Sequence, residues 1–362
     1  MNVTKVSIIT VTFNAKDTIE QTILSILNQT WPNIEYIVVD GMSTDGTWDI
    51  ICKYKEKISV LIHEKDNGLY DAMNKGIAHA TGEIIGIING DDWYESSAVA
   101  DMIASMDENT DISFAKMNWL VGQEECYVTN IFNIDDIWYQ MVAHPTVFIR
   151  RKIYDIYGGF NLEYPIAADY ELILRFYVNS VRFKYVDKIV ANFRVGGLTT
   201  RKRFECAREV RKISEEYLEK CPQKEKYQIL IKEKYEKTLM DIAYNLEDSV
   251  LSKKLFKAFG NKQHELCIFG AGYFGKKVKI KLERCGYRVS CFVDNSWEKI
   301  GKTIENLKVM EPECLMYGSW NVLIVMLRWG EEVYEQIKSY NNSELRVVNL
   351  LDFIEVDDCN AQ

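Results

Sequence analysis

The tetrapeptide Asn89-Gly90-Asp91-Asp92 places two adjacent carboxylates directly behind the apolar run EIIGII. Hard oxygen donors in that arrangement suit Mg²⁺ or Mn²⁺ bridging a diphosphate. A third carboxylate, Asp40, closes the run IEYIVVD and opens the turn GMSTDGT, whose glycines and hydroxyls let a nucleotide come close to the backbone. The first apolar run, VSIITVTF, leads into Thr12-Phe13-Asn14 in the same way. Asp169, in Ala-Ala-Asp-Tyr-Glu, heads a helical pattern that runs to Val178, where a carboxylate serves as a general base or as a helix cap. Further on, FGAGYFG sets Gly270, Gly272 and Gly275 between an apolar run and a helix, and Asp294 ends the next run. In that setting G-x-G-x-x-G marks a nucleotide-binding turn. Taken singly, these residues are also good turn and capping chemistry; their joint placement behind neighbouring strands favours a ligand site.

The elements that must hold them alternate. VSIITVTF, IEYIVVD, SVLIHE and EIIGIING read as strands, and Asp17–Asn28, TWDIICKYK and LYDAMNKGIAHA read as the helices between them. Apolar runs each followed by an amphipathic helix predict a mostly parallel sheet covered on both faces, with ligands at the carboxyl ends of its strands. From about residue 200 to 258 glycine nearly vanishes and Lys, Glu and Arg dominate, which reads as two or three charged helices. Alternation returns with ELCIFG, YRVSCFVDN, WNVLIVML and LRVVNL. The expected organisation is an α/β domain over 1–200, a helical connector over 201–260 and a smaller Rossmann-like α/β domain over 261–362.

Composition bounds the function. The 362 residues are 47% hydrophobic and 27% charged, as a packed protein requires. A net charge of −9 argues against a nucleic-acid coat. No apolar run reaches the roughly 18 residues of a membrane span, and MNVTKVSIITVTFN reads as a first strand rather than a signal peptide. The nine cysteines form no C-x-x-C pair, which points to reduced packing residues in the cytoplasm.

The succession VSIITVTFN, VVDGMSTDGT and EKDNGLYDAMNKGIAHATGEIIGIINGDDW resembles the nucleotide-sugar half of a family-2 glycosyltransferase of GT-A fold. The resemblance continues through AHPTVFIRRKIYDIYGGFNLEYPIAADYELILRFY to FRVGGLTT, and is strongest to bacterial enzymes of exopolysaccharide, colanic-acid and lipopolysaccharide assembly. It implies an inverting hexosyl transfer from a nucleotide sugar to a glycan or lipid-linked acceptor. By position, Phe13 would pack on the base between Thr12 and Asn14, and Asp40 would accept from uracil N3–H, which points to UDP. Gly68 and Asn74 would border the diphosphate and ribose. Asp92 would bind the divalent cation, with Asp91 nearer the ribose, and Asp169 would be the base. Many relatives carry Glu-Asp where this chain has Ala168-Asp169.

His144, ahead of Pro145, is a candidate for the acceptor pocket. Arg150, Arg151 and Arg175 read first as surface pairing residues and second as phosphate or acceptor contacts. Gly196-Gly197 reads as a loop able to close over the site. The turn at Gly270, Gly272 and Gly275, with Asp294, is a candidate second site for NAD(P) or another nucleotide, and it sustains a rival reading as an NAD(P)-linked sugar oxidoreductase. A sugar-phosphate nucleotidyltransferase is a further rival, although VTFNAKDT lacks the glycine-rich basic loop of such enzymes. The segment TRKRFECAREVRK holds six basic and two acidic residues, a net +4, and suits peripheral attachment to an anionic leaflet on the cytoplasmic side.

Overall fold

The computed structural model describes residues 3–121, 125–128, 133–260, 265–326 and 330–355. The chain divides into two compact units, Met1–Gln228 and Ile229–Gln362.

In the first unit β1 (Val6–Thr12), β2 (Ile34–Asp40), β3 (Val60–His63) and β4 (Ile84–Asn89) are the four runs read from the sequence. They pair in parallel in the order β3-β2-β1-β4, with helices Ile19–Leu27, Thr47–Cys52 and Leu69–His79 between them. Every residue of β1 is buried, because helices cover both faces of the sheet. Beyond β4 the sheet is mixed. Its further strands are β5 (Trp93–Tyr94), β6 (Ile112–Val121), β7 (Glu125–Val128), β8 (Phe148–Arg150) and β9 (Phe183–Arg194). The order continues β4-β8-β6-β9-β5, with β7 pairing β6. β8 is antiparallel to both neighbours, while β6 and β9 run parallel. This half lacks continuous apolar runs; β9 reads FKYVDKIVANFR, and only Val190–Asn192 in its second half are buried.

The edge of the sheet away from the candidate site is tied by one carboxylate. Glu35 accepts from Lys5 Nζ at 2.6 Å, Ser7 Oγ at 2.6 Å, Thr81 N at 2.7 Å and Thr81 Oγ1 at 2.6 Å, linking the starts of β1 and β2 to the turn before β4. Burial alone would push its pKa up, but these hydrogen bonds prevail and hold it at about 2. A folded-state pKa below the unfolded value adds stability above the unfolded pKa and loses it as pH falls through the folded one. Glu35→Gln should therefore be less stable than the parent at neutrality and converge on it as pH falls towards about 2. Urea midpoints across that range measure the gap; a gap independent of pH would contradict this account.

The second unit holds β10 (Glu265–Phe269), β11 (Val289–Val293), β12 (Thr303–Ile304), β13 (Leu307–Met310), β14 (Trp320–Ile324) and β15 (Arg346–Asn349). Their order is β12-β13-β11-β10-β14-β15, parallel throughout except for the edge pair β12–β13. The strand order therefore reverses beside β10, where the glycine turn lies. A Cβ on Gly275 would stand 1.9 Å from the Gly270 carbonyl oxygen, so glycine is what lets helix Tyr273–Arg284 close onto the turn. Within this unit Lys281, 5% exposed, donates from that helix to the carbonyls of Tyr244 and Leu246. It satisfies acceptors that a helix C-terminus leaves without partners.

Candidate functional site

β1 and β4 are the strands between which the first sheet reverses its order, and their carboxyl ends meet at Gly90. The Gly90 N–H donates to the Val11 carbonyl at 2.9 Å, and a Cβ there would stand 2.5 Å from Thr12 Oγ1. Close approach thus requires glycine, and it delivers Asp91 and Asp92 beside Thr12. Helix Ile19–Leu27 and the residue before it anchor the turn, with Thr18 donating to the Gly90 carbonyl at 2.9 Å and Thr22 to that of Asp92 at 2.6 Å.

Asp92 has no exposed surface. Its Oδ1 accepts from the Arg194 N–H at 3.0 Å, whereas its Oδ2 is buried without a hydrogen-bond partner. Thr12 Oγ1 and Asn89 Oδ1 are orphaned in the same way. Burial, then the charge of Asp91, pushes the Asp92 carboxyl well above the ordinary carboxylate range, and burial raises Asp91 as well. Orphaned oxygens beside two crowded carboxylates fit a divalent cation, which compensates both costs. Among the described residues no group of three or more His, Cys, Asp or Glu side chains is arranged to hold a metal. The pair would supply its protein ligands, leaving positions for diphosphate oxygens and water. Arg194, at the end of β9, lies 4.4 Å over the Trp93 ring and donates to the Asp91 carbonyl and to Gln21.

A second cluster occupies the ends of β1, β2 and β3. Thr12 stands level with Asp40, and Asp40 with His63. Asp40 is fully buried, accepting from Ser43 N at 3.0 Å, from the Ser43 hydroxyl, and from His63 Nδ1 at 2.6 Å. Phe13 is 63% exposed, and a Cβ on Gly41 would stand 3.5 Å from its ring. Asn14, at φ 51°, accepts from Thr44 N at 2.9 Å and donates its own N–H to Ser43 Oγ at 2.8 Å, which holds the turn against β1. Asp66 accepts from the N–H of Gly68 at 2.9 Å. Gly68 has φ 115° and open space where a side chain would stand.

Asp169 lies in the first turn of helix Ala168–Val178. Its Oδ1 accepts from Tyr70 OH and from Tyr170 N, both at 2.9 Å, and among the described residues its Oδ2 has no hydrogen-bond partner. Tyr70 belongs to helix Leu69–His79, which follows β3, so this bond ties the carboxylate to the sheet's carboxyl edge. The Tyr70 ring stacks on Phe160 at 5.3 Å, and His144 meets Phe160 edge-on at 5.6 Å. Burial lowers the His144 pKa against the opposing charge of Asp169, which favours the uncharged imidazole. Asn74 is placed differently from the expectation. Its amide closes on the backbone of Phe160, donating to the carbonyl at 2.9 Å and accepting from the N–H at 2.8 Å, so it positions the 158–164 loop.

Helix Arg203–Tyr217, which sequence reading assigns to the connector, belongs to this first unit and backs the Asp169 helix. Glu209 Oε2 accepts from Ile166 N and Ala167 N, both at 2.9 Å. Ser214 meets the Tyr170 hydroxyl at 2.8 Å, and Tyr217 donates to Glu171 at 2.6 Å. Ala167 is the N-cap of the Asp169 helix and has no capping side chain of its own, so Glu209 supplies the cap from a distance. Glu209→Ala should lower kcat by about tenfold, the worth of one or two lost charge-assisted bonds, with nucleotide affinity unchanged. Steady-state kinetics beside equilibrium binding would separate the two; an equal loss in both would mean a general loss of structure.

Residues 7–153 match Glycosyl transferase family 2. A PGL/p-HBAD biosynthesis glycosyltransferase of Mycobacterium bovis (strain BCG / Pasteur 1173P2) is 30% identical over 200 residues, which are 53% of this chain and 78% of that protein. The chain belongs to glycosyl transferase family 2. The Escherichia coli protein named UDP-Glc:alpha-D-GlcNAc-diphosphoundecaprenol beta-1,3-glucosyltransferase WfaP is a further relative, 31% identical over 52% of this chain and 77% of its own. The S. aureus TarS 1-349 structure in complex with UDP-GlcNAc superposes with a TM-score of 0.52 at 19% identity, covering 68% of this chain and 82% of that one. That likeness is one of fold, the GT-A type. Longer TarS is matched over 46% of its length, at a TM-score of 0.51. Residues 262–348, beyond the family-2 region, match the C2185-like, N-terminal family.

Within this family-2 chain the structure brings Thr12, Phe13, Asn14 and Asp40 to one edge, and Asp91 and Asp92 to the neighbouring crevice. His63, Asp66, Tyr70, Arg194 and Glu209 were missed. His63 had a signal, being the last residue of a strand whose neighbour ends in Asp40; Glu209 had none, since a charged residue in a charged helix looks solvated. Arg150 is spent on the backbone carbonyls of Thr110, Met106 and Asp107, whereas Arg175 pairs with Glu171 at 3.1 Å, as a pairing residue should, and also donates to the carbonyls of Tyr157 and Gly159. Arg151 donates to the Gly82 carbonyl at 3.2 Å. In the second unit Asp294 is turned inward, accepting from Ala271 N at 2.8 Å, Ser296 N at 2.8 Å and Lys299 Nζ at 2.9 Å, so it holds the glycine turn itself. Gly270, at φ 116°, packs where a Cβ would meet the Val325 carbonyl oxygen at 2.5 Å, whereas Gly272 faces open space.

Proposed function

We propose that the first unit is an inverting, metal-dependent transferase that moves a hexosyl group from a UDP-sugar to a glycan or lipid-linked acceptor in surface-glycan assembly. The observation that carries this reading is the pair Asp91-Asp92 with its orphaned Asp92 oxygen, in the same unit as a separate carboxylate, Asp169, that keeps one oxygen uncommitted. The similarity to WfaP, named for a UDP-Glc donor and an alpha-D-GlcNAc-diphosphoundecaprenol acceptor, supports the donor and acceptor classes.

Asp92, with Asp91, would hold Mn²⁺ or Mg²⁺, and the cation supplies Lewis-acid neutralisation of the departing diphosphate. Phe13 offers its exposed ring to the base. Asp169 takes the acceptor hydroxyl proton on Oδ2 while Tyr70 and the Tyr170 N–H hold Oδ1, fixing the carboxylate's direction. One base and no protein nucleophile gives a single displacement with inversion. Among the described residues no helix is long and apolar enough to cross a membrane. A lipid-linked acceptor would place the enzyme at the cytoplasmic face of one, with Arg201, Lys202 and Arg203 towards anionic headgroups. Incubation with a panel of UDP- and GDP-sugars and Mn²⁺, scored by nucleoside-diphosphate release and by the anomeric configuration of product, tests the proposal. Release from no donor, or a retained configuration, would overturn it.

A further inference from the structure

We infer that His63 is the residue that reads the nucleobase, with Asp40 acting through it, and that it selects bases carrying an imide N–H. The inference deepens the UDP-sugar reading and rests on it.

Thr12, Asp40 and His63 form a row across the carboxyl ends of three adjacent strands. At the centre of the row the Asp40 side chain has no exposed surface, and both its oxygens are engaged by Ser43 and His63. A carboxylate enclosed in this way has no face left for a base. A carboxylate only accepts, so the 2.6 Å contact puts a proton on His63 Nδ1, and the tautomer fixed in this way carries its lone pair on Nε2. Among the described residues Nε2 has no hydrogen-bond partner, and the His63 side chain keeps 27% of its surface. Trp48 stacks on the imidazole with centroids 3.8 Å apart and planes 19° from parallel. The ring is therefore held on one edge by Asp40 and on one face by Trp48, with its accepting nitrogen uncommitted. On the other side of Asp40, the exposed Phe13 ring lies against Gly41, so a base stacked on Phe13 lies over the turn that follows Asp40.

Uracil presents N3–H to such an acceptor. Cytosine, of the same size, presents a lone pair at N3, and two lone pairs repel. The expected discrimination is about tenfold or more, the worth of one hydrogen bond made against one left unmade. Calorimetric titration of the full chain with UDP and with CDP, in Mn²⁺, tests this. The parent protein should prefer UDP by about that factor, and His63→Leu, with its melting temperature retained, should bind the two almost equally. Equal affinity of the parent for UDP and CDP overturns the inference whether or not the variant folds, and so does an unchanged preference in folded His63→Leu. If the parent binds neither nucleotide, the UDP-sugar reading itself fails, which is a separate result and removes the inference with it.

Discussion

Asp169→Asn should reduce transfer to an acceptor by roughly a hundredfold to ten-thousandfold, the range general-base catalysis supplies. The substitution is close to isosteric. An asparagine oxygen can still accept from Tyr70 OH and Tyr170 N, the two bonds that Oδ1 makes at 2.9 Å, so the helix start and the Tyr70–Phe160 stack should survive. What is lost is the basic Oδ2. UDP affinity should stay within a few-fold, because the carboxylate acts on the acceptor. Product formation measured beside UDP binding separates these expectations. Turnover retained in the asparagine variant would remove Asp169 from the reaction.

The second large effect is expected at Asp92. Asp92→Asn can keep the bond from the Arg194 N–H at 3.0 Å but abolishes the charge at a position with no exposed surface. Mn²⁺-dependent UDP binding should disappear, and kcat/KM should fall by roughly a hundredfold or more, because charge on the leaving diphosphate is then uncompensated. Chelation of the parent should reproduce the loss, and added Mn²⁺ should restore the parent while leaving the variant inactive. Asp92→Ala would add the cost of a hole and an abandoned N–H, so the asparagine variant is the cleaner comparison. Activity indifferent to chelator would make Asp91 and Asp92 turn residues only.

Sequence made the parallel half of the first sheet legible because β1, β2 and β4 are buried on both faces and so carry dense apolar runs with few polar interruptions. The same property locates Thr12, Asp40, Asp91 and Asp92, since each stands where such a run stops. The mixed half was not legible in this way. β9 carries Lys184, Asp187 and Lys188 along a largely exposed stretch, and the antiparallel strands of this half, β5 and β8, are two and three residues long. Arg194 was hidden with it. Asn74 illustrates a different limit: position in a motif places the residue near the site, but only coordinates show its amide spent on Phe160. Glu209 illustrates a third, because a carboxylate that caps a helix N-terminus 42 residues earlier in the chain leaves no local pattern.

The helix Arg203–Tyr217 has a consequence for anyone recombining such enzymes. A chimera joined at the glycine pair Gly196-Gly197, an inviting seam in the sequence, would keep Asp169 but exchange Glu209, Ser214 and Tyr217, the partners of Ala167, Tyr170 and Glu171. The transplanted segment would carry someone else's scaffolding for this chain's base. A seam beyond Tyr217 keeps the inherited pairs together, so donor-side and base-side residues travel as one cassette.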